Sequence, residues 1–162
     1  MSTANATQVG GTHYKNPFQH WDLCHELDLG YFEGQISKYI TRHRFKKGLE
    51  DAEKALHFCT KLIELARDGG RMPRHKMVSF ARMTQYAEAN KLLPIEYACI
   101  NSVCNWQFVE DLTMLQARIE RLIAETYPAP TVDEQDRVWN KLGGLYDTGE
   151  PGAGYVDQGK DI

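Results

Sequence analysis

From Pro17 to Thr126 apolar side chains recur at spacings of three and four, and strand-like alternation is hard to find. Phe18, Trp21, Leu23, Cys24 and Leu27 mark a first helix, with Pro17 suited to its first position. Gly30 interrupts it. Phe32, Ile36, Tyr39, Ile40 and His43 then line a second helix, which ends at the basic turn Lys46-Lys47-Gly48. A third follows at once, its broad apolar face built from Leu49, Ala52, Leu56, Cys59, Ile63 and Ala66 and widened by Ala55, Phe58 and Leu62. Gly69-Gly70 stops it. Three more helices are predicted beyond: one carrying Phe80, Met83, Tyr86 and Ala87, one from Ile95 to Trp106 behind Pro94, and one from Val109 to Thr126 before Pro128.

The pattern predicts an all-α small helical bundle, read as three parts: residues 1–70, 71–128 and 129–162. Placing Glu50-Asp51 over Glu110-Asp111 also places Leu62-Ile63 over Leu122-Ile123, which suggests two related three-helix units from a decayed duplication. The basic residues of the first copy are missing from the second, so the chemistry is assigned to the first. In the last part Thr131 and Glu134 have capping-box spacing for a short helix reaching Trp139 and Leu142. A glycine-rich polar tail follows, with Trp139 and Tyr146 available to dock it. Residues 1–15 read as an extended arm hinged at Gly10-Gly11.

Composition narrows the classes. A chain of 162 residues with 42% hydrophobic and 25% charged residues can bury a core. Its net charge of −3 supplies no global field for nucleic acid or an anionic membrane, so anion binding must be local. No signal segment or membrane span is readable, and the expected compartment is the cytoplasm. Cys24, Cys59, Cys99 and Cys104 lack C-x-x-C spacing and read as reduced thiols of the core.

The stretch "GYFEGQISKYITRHRFKKGLEDAEKALHF" carries the chemistry. Gln35, Lys38 and Arg42 form one polar stripe beside the apolar face of their helix, and Arg44, Lys46 and Lys47 carry positive charge into the turn. Gly34, near the helix start, would let a ligand approach backbone amides. Such a stripe suits a phosphate, although basic turns are also common as solvated faces. Asp51 lines up with Ala55, Phe58 and Leu62, so a carboxylate sits at the edge of a buried face and should have a partner. A three-residue turn makes the second and third helices antiparallel, which puts Arg42 or Lys38 in reach of it. The competing reading of Asp51 is a first-turn acid stabilising its helix N-terminus. Lys54 and His57 lie near the same edge. His20 and Cys24 have helical metal-ligand spacing but no second pair, so no metal site is assigned. There is no P-loop, dinucleotide fingerprint or nucleophile elbow.

"VGGTHYK" followed by that stretch resembles a small phage-encoded nucleotide kinase family, SaV-like, which includes the nucleotide kinase of T-odd coliphages. Its pattern runs G-G-x-H-Y-K, then G-N-x-I-K-Y-x-x-R, a basic turn, G-x-x-D and K-A-x-x-Y, and the resemblance covers about residues 8 to 66. Matching positions are Gly11, His13, Tyr14, Gly34, Ile36, Lys38, Tyr39, Arg42, Lys46, Gly48, Asp51, Lys54 and Ala55. Gln35 stands where the family has asparagine, and Phe58 where it has tyrosine. The resemblance implies that the arm belongs to the same site as Lys38, Arg42 and Asp51, folding over a ligand with Tyr14 on a base and His13 on a phosphate or a proton.

What the resemblance implies is a deoxynucleoside monophosphate kinase without a P-loop, working in the cytoplasm of a phage-infected bacterium. A nucleoside triphosphate would be the donor, with room for magnesium beside it. His13, Lys38, Arg42 and Asp51 would be the catalytic residues. Gly11, Tyr14, Gly34, Gln35, Tyr39, Arg44, Lys46, Lys47 and Lys54 would bind substrate. The expected partners are deoxynucleotides and further copies of the chain in a homo-oligomer, with no membrane and no nucleic acid. Three rivals stay open: a sequestering nucleotide-binding protein active against host defence, a metal-dependent nucleotide pyrophosphohydrolase using Glu50 and Glu53, and a structural adaptor with no nucleotide site.

Overall fold

In the computed structural model, six α-helices and one short 3-10 turn run between His20 and Thr126; Asp133, Glu134 and Arg137 are helical beyond them, and no strand occurs among the described residues. Residues 16–69, 73, 75–131, 133, 134 and 137 are described. The helices are α1 (His20–Leu27), α2 (Tyr31–Arg42), α3 (Leu49–Gly69), α4 (Phe80–Asn90), α5 (Pro94–Asn105) and α6 (Val109–Thr126), with the 3-10 turn His43–Phe45 after α2. One compact unit runs to Pro128 and a second begins at Ala129.

Within the first unit α2 packs on α3, α3 on α6, α6 on α5 and α5 on α2, a closed ring of four helices. Its core draws on every one of them, with Ile36 and Ile40 from α2, Leu62 from α3, Ile100 and Val103 from α5, and Leu115, Ile119 and Leu122 from α6 fully buried. The stripe of each helix is wide enough for two neighbours, which is why a ring closes where two separate pairs would leave apolar surface in water. Helices α1 and α4 flank the ring, contributing Leu23, Leu27, Met83 and Tyr86 to the same core.

Three local expectations differ from the structure. The first helix begins at His20 rather than Pro17, because Gln19 is extended (ψ 157°) and its N–H donates to the Asp22 carboxylate at 3.2 Å, while the Asn16 side chain accepts from Phe18 N–H at 3.1 Å. Those side chains offer the backbone a turn in place of a helix. Trp21 and Phe80, assigned to apolar faces, are exposed; Phe80 sits in the first turn of α4, outside the seam formed by Met83 and Tyr86. Gly48, by contrast, does what the basic turn needs. It adopts φ +58°, and its N–H closes onto the His43 carbonyl at 2.9 Å, so α2 reverses directly into α3.

All four cysteines are free thiols, three of them buried. Burial pushes the Cys24 thiol up to about 11 and those of Cys59 and Cys99 up to about 12, so none is a ready nucleophile near neutral pH. No helix among the described residues is long and apolar enough to cross a membrane. The Thr131 and Glu134 side chains do form the reciprocal capping contacts their spacing predicts, with the Glu134 carboxylate accepting from Thr131 N–H at 2.9 Å. Trp139, Leu142 and Tyr146 lie outside the described residues.

Candidate functional site

Across the α2–α3 turn the Arg42 guanidinium meets Asp51 in a two-point contact, Nε to Oδ2 at 3.0 Å and a terminal nitrogen to Oδ1 at 3.2 Å. Asp51 has no exposed surface, whereas the Arg42 side chain keeps 21% of its own. The geometry follows from the sequence. Asp51 is one turn into α3 on its buried edge, Arg42 is the last residue of α2, and the reversal at Gly48 sets the two helix ends side by side. A carboxylate in that position is costly to bury alone, and the planar fork of arginine satisfies both its oxygens.

Around this pair the cations gather on one aromatic ring. The Tyr39 ring stacks on Phe58 of α3, with centroids 5.7 Å apart and planes 17° apart. Arg42 lies 4.7 Å, Lys38 5.6 Å and Lys54 5.8 Å from the Tyr39 ring centroid. Lys54 also reaches Asp51 at 4.0 Å and is hydrogen-bonded to Glu50, which takes Lys47 at 3.0 Å as well. These two lysines hold the Glu50 carboxyl below the usual range. Lys38 pairs with no carboxylate among the described residues. Negative π-density under three cations keeps them close despite their mutual repulsion, and an anion entering above them would relieve it.

On the other side of α2 lies a group that sequence spacing did not connect with the stripe. His20 of α1 bonds through Nε2 to the Ser37 hydroxyl at 2.8 Å, and Ser37 donates to the Glu33 carbonyl at 2.9 Å. Burial, then the charges of Lys38 and Arg42, push the His20 imidazole down to about 4, so it is neutral and close enough to feel both cations. The pairing of a histidine on α1 with a serine on α2 depends on helix packing, and no sequence spacing records it.

The predicted site residues therefore divide. Lys38, Tyr39, Arg42, Asp51 and Lys54 come together, and Gln35 stands one turn before Tyr39 on α2. Lys46 and Lys47 are exposed in the turn beside them. Arg44 goes elsewhere. Its guanidinium bonds Glu96 of α5 at 2.5 and 3.0 Å and the Lys91 carbonyl at 2.6 Å, which commits it to joining the two halves of the chain. Gly34 lies inside α2 rather than at an open helix start. Its N–H bonds the Gly30 carbonyl at 2.9 Å, and the position a Cβ would take is 3.5 Å from Cys24 Sγ, so the small residue faces α1. Gly11, His13 and Tyr14 lie outside the described residues. No group of three or more His, Cys, Asp or Glu among the described residues is arranged to hold a metal ion.

Comparison with protein-family models, with curated proteins and with solved structures finds no match for this chain.

Proposed function

We infer that the Lys38–Tyr39–Arg42–Lys54 face binds the phosphates of a nucleotide, and that the chain is a phage nucleotide kinase moving a phosphoryl group from a nucleoside triphosphate to a deoxynucleoside monophosphate. The observation that carries this reading is the arginine already held in place by a buried carboxylate, with the ammonium of Lys38, which meets no carboxylate among the described residues, on the same aromatic ring. Phosphoryl transfer asks little covalent chemistry of a protein and much positioned positive charge, which such a face supplies. An oxygen of the acceptor's phosphate attacks the terminal phosphorus, the bond to the bridging oxygen breaks, and two diphosphates leave. That attacking oxygen is largely unprotonated near pH 7, since a phosphate monoester's second pKa is about 6. Asp51 is then not needed as a base; its part is to aim Arg42. His13 remains the candidate for a further contact to phosphate, and a second copy of the chain for closing the open side of the face.

A sequestering protein would use the same face, and the burial of Asp51 against Arg42 suits it equally, because no reactive carboxylate is then left beside the cations. One panel separates the two. Purified chain is mixed with each deoxynucleoside monophosphate and a set of triphosphates, with and without a chelator, and the products are resolved. Diphosphate formed by the wild type and lost in Lys38→Ala supports the kinase. Nucleotide retained by the protein unchanged supports sequestration, and pyrophosphate released from triphosphate would overturn both. Lys38 is the better probe than Arg42 because its removal orphans no buried group.

A further inference from the structure

Tyr31 opens α2 with 65% of its surface exposed, unusual for a large aromatic that also touches two others. Its ring meets Phe32 at 5.3 Å and Phe58 at 5.9 Å, both nearly perpendicular. Phe58 in turn stacks on Tyr39. The aromatic surface therefore runs without a break from an exposed end at Tyr31 to an end ringed by Lys38, Arg42 and Lys54. Phe80 and Phe108 are comparably exposed, but among the described residues neither makes a ring or cation–π contact.

The periodicity of α2 sets the scale. Tyr31, Gln35, Lys38 and Arg42 follow one another at spacings of four, three and four on one stripe, and Tyr31 and Lys38 are about 10 Å apart along the axis. Long side chains on a helix lean toward its N-terminus, Tyr31 and Lys38 alike, so the axial spacing carries over to the ring and the ammonium. That separation matches the distance from a nucleobase to its phosphate chain, and the Gln35 amide between them can both donate and accept.

We propose that Tyr31, supported by Phe32 and Phe58, is the platform on which the base of a nucleotide stacks while its phosphates occupy the Lys38–Arg42–Lys54 face. This rests on the phosphate-binding reading above and adds to it the residue that separates a nucleotide from a bare sugar phosphate. A platform of π-faces tolerates every base, so discrimination among bases falls to Gln35.

The test is calorimetric titration of the intact chain with the four deoxynucleoside monophosphates and, separately, with deoxyribose 5-phosphate. Wild type should bind each nucleotide about tenfold or more tighter than the sugar phosphate. Tyr31→Ala should erase that gap with the sugar phosphate affinity unchanged, and Tyr31→Phe should restore it. Nucleotide and sugar phosphate bound equally by wild type, or a gap that survives Tyr31→Ala, would overturn the platform and leave the phosphate site standing. Binding of neither would remove both. Sedimentation run alongside excludes the other use of an exposed tyrosine: if Tyr31→Ala changed the oligomeric state and left nucleotide affinity intact, the ring would be a contact between copies and the proposal would fall.

Discussion

Asp51 has no exposed surface, and Arg42 holds both of its oxygens. Truncation of the arginine strands the carboxylate. Arg42→Ala should cost about 3–5 kcal/mol in urea denaturation, whereas replacing both partners by apolar residues should recover much of that loss. Loss of activity in Arg42→Ala alone is thus no measure of phosphate binding, whereas Lys38→Ala should stay within about 0.5 kcal/mol of wild type. His20 gives a second residue-scale expectation. Its folded pKa, about 4, is below the ordinary value of 6.5, so between those pH values the unfolded chain binds more protons. Stability should therefore fall as pH drops from about 6.5 toward 4, by about 3 kcal/mol, and His20→Gln should flatten that part of a stability-versus-pH curve. His75, also pushed down by burial, adds in the same direction and would leave a residual slope.

At the scale of elements the two glycines of the motif, Gly48 in the turn and Gly34 inside α2, make opposite predictions. Gly48 holds φ +58° with the Tyr127 ring 3.5 Å from where a Cβ would stand, so Gly48→Ala is strained whatever the space and should cost about 1–2 kcal/mol. Gly34 is in ordinary helical conformation with an ordinary contact to Cys24, and Gly34→Ala should be neutral or stabilise by about 0.5–1 kcal/mol. Thermal melting of the two variants checks both. If Gly34→Ala instead folds well and loses nucleotide binding, the glycine serves ligand approach after all. The first-turn acids of α3 and α6 differ in the same instructive way. Asp111 accepts from Gln107 and Phe108 N–H at 2.9 and 3.0 Å, the plain capping role, and those bonds hold its carboxyl low. Asp51 turns inward to Arg42 because a basic residue ends the preceding helix, and no basic residue ends α5.

Across the whole molecule one buried carboxylate ties the halves together. Glu96, 1% exposed, accepts from His43 at 2.7 Å, from Arg44 and from the Leu93 N–H at 2.7 Å, while His43 reaches the Tyr127 hydroxyl at 2.7 Å. Burial alone would raise the Glu96 pKa, and the hydrogen bonds from His43, Arg44 and the backbone reverse that, leaving it below the usual carboxylate range. Its contribution is present above the ordinary carboxylate pKa and disappears as pH falls through the lowered value, adding to acid lability below the histidine window. Glu96→Ala should cost about 3–5 kcal/mol by chemical denaturation, because His43 is buried and loses its partner. A shallow groove lined by Arg67, Val109, Glu110, Thr113 and Met114 lies at the far end of α3, about 24 Å along its axis from Asp51. The cationic face is thus a separate surface from that groove.

The one-dimensional pattern was enough for whatever depends on near neighbours. Helical periodicity gave six helices and the final boundary at Thr126, and the phase of Asp51 at the edge of the apolar stripe of α3 pointed to a partner, Arg42 or Lys38, alongside the competing role of a first-turn acid. Short turns make such partners local. Tertiary structure decided which cation that is: Arg42, the last residue of α2, and not Lys38 one turn earlier, because only the helix end swings across the Gly48 reversal. It also drew Arg44 away from the stripe to Glu96, placed His20 beside Ser37, and joined Tyr31 to Tyr39 through Phe58. Each of those contacts links different helices, at separations where spacing along the chain carries no distance information; helix packing alone sets them.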